Sequence, residues 1–116
     1  MAYIDQDFRL WRGDYKRIIF TVRDIREVGA EDLEGANIRW VCTDRSGKEV
    51  VIEKESSDPA EIEIEGDKFI VKLFPEETKE IERSTLKHEA RVSDLKGMSA
   101  TVSTGSIDVK DAVTLM

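Results

Sequence analysis

Apolar and polar residues alternate with a period of two in one segment of this chain after another, and that period fits a half-buried β-strand rather than a helix. Ile18, Phe20 and Val22 alternate with Arg17, Thr21 and Arg23, and Ala36, Ile38, Trp40 and Cys42 alternate with Asn37, Arg39 and Thr43. Val50 and Ile52 continue the pattern after Asp44-Arg45-Ser46-Gly47, a sequence suited to a type I turn ending in glycine. Ile62 and Ile64 alternate with Glu61, Glu63 and Glu65, so the acidic run is the wet face of a strand, and Gly66-Asp67 marks a hairpin into Phe69, Val71 and Leu73. Leu86, His88, Ala90 and Val92 form one face of the next strand. Asp94-Leu95-Lys96-Gly97 then repeats the turn chemistry before Met98, Ala100 and Val102.

Ile107 and Val109 fall on odd positions although their strand begins on even ones, so one residue must be gained on the way. The glycine in Thr104-Gly105-Ser106 is the expected place for that β-bulge. Pro75 followed by Glu76 and Glu77 predicts a single helical turn near residues 75–81, with proline in its first turn. Asp24 to Glu34 reads as a polar loop too short for a second core. About seven short strands at spacings of roughly 8–12 residues predict an all-β, antiparallel, immunoglobulin-like sandwich, with Trp40 as its large core residue and a small β-barrel as the alternative. The expected organisation is one domain over residues 1–116, with extended terminal segments at 1–6 and 111–116 whose apolar residues Tyr3, Ile4, Val113, Leu115 and Met116 suit docking onto a neighbour.

The 25 acidic residues against 18 basic ones give a net charge of −7, which repels a phosphate backbone, and the basic residues form no tract suited to anionic lipid. Neither nucleic acid nor membrane is therefore an expected partner. No stretch approaches the roughly 18 apolar residues of a membrane span, and Met1 to Asp7 lacks the pattern of a signal peptide. Cys42 is the single cysteine, which fits synthesis in a reducing compartment such as the cytoplasm.

Arg12-Gly13-Asp14 matches a tripeptide that adhesion receptors read on exposed loops of secreted proteins. Its structural reading is a turn at Gly13 between two strands, with Asp14 hydrogen-bonded to local backbone. His88, the sole histidine, and Cys42 both fall on inward faces, so a Cys-His pair is the one catalytic arrangement the alternation permits, yet neither an orienting partner nor a metal-type spacing accompanies it. A hydrogen-bonded core imidazole is the expectation for His88. The acidic clusters Glu31-Asp32-Glu34 and Glu61-Glu63-Glu65 lack calcium-loop spacing, and no glycine-rich phosphate loop or nucleophile elbow occurs. No catalytic, cofactor-binding or metal residue is assigned, and no cofactor is expected.

Three stretches, "FRLWRGDYKRIIFTVRD", "DLEGANIRWV" and "EETKEIERSTLKHEARVSDLKGMSATVSTGSIDV", together resemble a family of small phage and prophage virion-associated proteins with an immunoglobulin-like sandwich, similar to tail and baseplate components. The resemblance carries over Arg12, Gly13, Asp14, Gly35, His88, Glu89, Gly97 and Gly105 as structural signature positions. Where the family has an aromatic residue leading into the His-Glu strand, this chain has Ser84-Thr85-Leu86, so no tyrosine corner is expected. The resemblance implies a non-enzymatic virion structural or assembly protein of the tail, baseplate or head-tail region, whose partners are other virion proteins or further copies of itself. The alternative is a free-standing binding module for carbohydrate or a protein ligand, with Trp11 and Tyr15 as a stacking platform.

Overall fold

The computed structural model describes residues 4–111 apart from Asp24 and Arg83. The expected contacts of Tyr3, Val113, Leu115 and Met116 lie outside the described residues. One sheet carries β1 (Ile4–Asp5) and β2 (Phe8–Trp11) along β9 (Met98–Lys110), followed by β8 (Thr85–Leu95), β4 (Asn37–Thr43) and β5 (Val50–Glu55). The second sheet has the order β3 (Lys16–Thr21), β7 (Lys68–Leu73), β6 (Ile62–Glu65). Pairing is antiparallel except where β1 and β2 run parallel to β9.

Apart from the first strand, which here runs along the last, this is the strand order of an immunoglobulin-like sandwich, in which the second, fifth and fourth strands form one sheet and the third, sixth and seventh the other. Among the described residues nine strand segments replace the expected seven, because the first strand is split in two and β5 is added beside β4. The alternation holds on both inner faces: Ile18, Phe20, Ile38, Trp40, Cys42, Phe69, Val71, Leu73, Leu86, His88, Ala90 and Val92 are all buried. Trp40 is completely enclosed. Each large apolar side chain so buried contributes roughly 1.5–3 kcal/mol.

Three expectations need correction. Val50 does not continue the inner face, being 53% exposed. Cys42 pairs with Ile52 and Thr43 with Val50, so Val51 is an extra residue and reverses the parity at the start of β5. The parity change in β9 is real but lies earlier than Gly105: Ala90 pairs with Ser103 and Arg91 with Thr101, which leaves Val102 as the extra residue. Val102 and Ser103 are consecutive and both buried, as a bulge requires. Finally, the loop after β3 contains a 3-10 turn at Ile25–Val28, and it joins the main core through Ile25, Ala30 and Leu33.

The single helical turn expected near residues 75–81 is Pro75–Thr78 (α1). Glu77 closes it by accepting a hydrogen bond from the Phe74 N–H at 3.2 Å. The Thr78 hydroxyl is fully buried and donates to the Asp14 carbonyl at 2.8 Å, which fixes α1 against the Arg12-Gly13-Asp14 turn.

Candidate functional site

Gly13 sits in the left-handed region at φ +84, where a side chain is strained, and the Asp14 N–H closes the turn on the Trp11 carbonyl at 3.1 Å. This is a local backbone bond of Asp14, as the turn reading expects. Arg12 is held at both terminal guanidinium nitrogens, by Asp111 Oδ1 at 2.8 Å and the Lys79 carbonyl at 3.0 Å. A receptor reading this tripeptide would have to break those bonds.

His88 occupies the centre of the larger sheet's inner face, ringed by Phe8, Phe20 and Trp40 at centroid distances of 5.2, 6.0 and 5.9 Å. Trp40 Nε1 can only donate, so the 3.3 Å contact makes His88 Nδ1 the acceptor. The proton therefore sits on Nε2, which donates to the Gln6 carbonyl at 2.6 Å. Burial holds the ring's pKa below its usual value, partly offset by the Gln6 bond and the charge of Asp7.

This bond explains why the first strand is interrupted. Gln6 N–H pairs with the Thr104 carbonyl at 2.7 Å, and in an unbroken parallel ladder the Ser106 N–H would return to the Gln6 carbonyl. That carbonyl has turned inward to His88, and Asp7 Oδ1 accepts from the Ser106 N–H instead, at 2.8 Å. Gly105, paired with His88, makes the approach possible: a Cβ there would lie 2.1 Å from the Gln6 oxygen and 2.7 Å from His88 Nε2. The glycine thus serves close packing and not the register break.

Cys42 and His88 are direct cross-strand neighbours. Both ring nitrogens are nevertheless committed, to Trp40 and Gln6, so the imidazole offers the thiol no base. The thiol itself is buried and its pKa is pushed up to about 12 by desolvation, far from the thiolate a nucleophile needs.

Over the opposite face of the same sheet lies a groove of about 530 Å³, lined among others by Asp7, Thr43, Lys87, Glu89 and Ser106. The neighbouring outer surface is a polar ladder, in which Arg91 and Glu89 both bond the Thr101 hydroxyl and Arg39 meets Glu53 at 2.8 Å. Glu61, Glu63 and Glu65 are spread along β6, with Glu63 3.8 Å from Lys72, while Asp32 accepts from the Glu34 N–H. Among the described residues no group of three His, Cys, Asp or Glu side chains is placed to hold a metal ion. Trp11 and Tyr15 are 38% and 46% exposed, but the Tyr15 ring rests on Phe74 at 5.6 Å and the Arg9 guanidinium covers Trp11 at 5.9 Å.

Sequence reasoning missed Lys54. It is only 2% exposed, and its ammonium lies 2.6 Å from both carboxylate oxygens of Glu77, 4.0 Å from Glu61 and 5.3 Å from the Phe74 ring centroid. The even parity of Ile52 and Lys54 was a signal that it points inward. Neither a known protein-family profile nor a curated protein sequence matches this chain.

Proposed function

We propose that this chain is a non-enzymatic structural or assembly protein of a phage or prophage particle, acting through protein–protein contacts in the tail, baseplate or head-tail region. The observation that carries the non-enzymatic part is the spent imidazole: His88 uses one nitrogen on Trp40 and the other on Gln6, and the adjacent thiol is buried. The groups most able to do chemistry are thus consumed in holding the fold, while the outer surface offers sheet edges that other chains can pair with. The particle context rests on the resemblance of the three quoted stretches. Purifying particles from an induced or infected culture and searching them for this chain by mass spectrometry tests that context. Stoichiometric recovery is expected, and absence from particles and from assembly intermediates would overturn it.

The second reading, a free-standing binding module, draws on the exposure of Trp11 and Tyr15. It predicts that soluble glycans quench tryptophan fluorescence saturably, an effect that Trp11→Ala removes.

A further inference from the structure

The five-strand width of the larger sheet ends at β5, beyond which no strand is paired among the described residues. Two of the five large hydrophobic side chains exposed among the described residues, Val50 at 53% and Val51 at 39%, lie side by side on this edge. Next to them is a groove of about 350 Å³ lined by Val51, Ile52, Glu53, Glu77, Glu80 and Ile81. Glu61 Oε1 caps this edge at the Glu55 N–H at 3.4 Å; the backbone before it, the apolar side chains and the flanking groove are the parts a strand-addition site needs.

The charge around this edge selects the occupant. Residues 49–55 and 76–82 together hold seven glutamates against two lysines, and Lys54 is turned inward onto Glu77. Pairing β5 with β5 of a second copy would set glutamates against glutamates, and like charges across a strand pair are destabilising. The other edges are less open. The β9 edge is covered by β1 and β2, the Gln6 side chain caps the β3 edge at the Ile19 carbonyl, and β6 is only four residues long.

We infer that the free edge of β5 is a docking site for an extended, basic segment of a partner protein, with lysine or arginine alternating with apolar residues, added as a further strand. The inference deepens the assembly reading, but its test does not depend on a phage particle. The probe is a blocked octapeptide alternating lysine and valine, titrated into the full chain by amide NMR, with an octapeptide alternating glutamate and valine as control.

The expected result is a saturable shift of the 50–55 amides with the basic peptide alone, weakening about tenfold between roughly 0.05 and 0.5 M salt. Glu53→Pro, which removes an N–H that the β4–β5 ladder turns away from β4, should weaken binding by about tenfold or more. Glu80→Lys, on an exposed side chain outside the strand ladder, should weaken it by about threefold with an unchanged melting temperature. The inference is overturned by absence of binding, by shifts that map elsewhere, by equal binding of the acidic peptide, or by undiminished binding to a folded Glu80→Lys protein. Any of these results would leave the particle experiment free to succeed.

Discussion

The two edges of the larger sheet are built on opposite plans. At one, β1 and β2 are stitched down by side chains: Gln6 reaches β9, His88 and β3, Asp7 holds Ser106, and Arg12 holds Asp111. At the other, β5 is bulged at Val51, turns one charge inward at Lys54 and leaves two valines in solvent. Hydrophobic alternation reads the same in both, so the contrast lies in the polar contacts. An edge closed by many specific bonds serves the fold, whereas one defended by charge, a bulge and the single Glu61 cap on the Glu55 N–H is the more open to a chain of opposite charge.

The largest effect expected along the closed edge comes from Gly105→Ala. Its Cβ would strike the Gln6 backbone oxygen at 2.1 Å, a fixed atom, so overpacking should cost about 3 kcal/mol in urea unfolding. A loss under about 0.5 kcal/mol would show that the Gln6–His88 bond yields easily.

Next in size is an acid effect. Burial depresses the pKa of His88, so the folded state keeps the ring neutral while the unfolded chain takes up a proton near its ordinary value of about 6.5. The stability contributed by neutral His88 is present above that value, falls as pH drops through about 6.5, and stops falling below the folded pKa. The slope is at most about 1.4 kcal/mol per pH unit. Because the chain has one histidine, urea unfolding between about pH 7.5 and 5.5 should isolate this slope, and His88→Gln, which keeps one acceptor and one donor, should flatten it.

Gly13→Val tests the turn that follows β2. A branched side chain at φ +84 should cost about 1–2 kcal/mol, read as a lower melting temperature. Smallest of all should be Val50→Thr on the open edge, within about 0.5 kcal/mol of wild type, since the side chain is more than half exposed. A larger loss there would mean that this edge also serves the fold.

Much of the sandwich was legible because period two, turn residues and strand spacing all agree on it, and the inward position of His88 followed from the parity of Leu86 and Ala90. The bulge was legible only as a need for one extra residue. Its site at Val102 was hidden because Gly105 has a different task, set by Gln6, which is remote in sequence. The Lys54–Glu77 pair was hidden for a similar reason: 23 residues separate the partners, and only the approach of the two sheets brings them together. The turning of the Gln6 carbonyl away from β9 leaves no trace in composition or periodicity at all.

The parallel pairing of β1 and β2 with β9 also bears on the order in which the protein assembles itself. Arg12 meets Asp111 across 99 residues, and Asp7 meets Ser106 across the same span. During synthesis the first strand therefore emerges long before its ladder partner β9 exists, and closing so long a loop is slow in entropic terms. The antiparallel pairs β6–β7 and β8–β9, joined by tight turns, can form early. Until β9 is made, Phe8 and Leu10 lack the strand they pair with, and this interval is when a nascent chain is most exposed to chaperones or to mispairing with its neighbours.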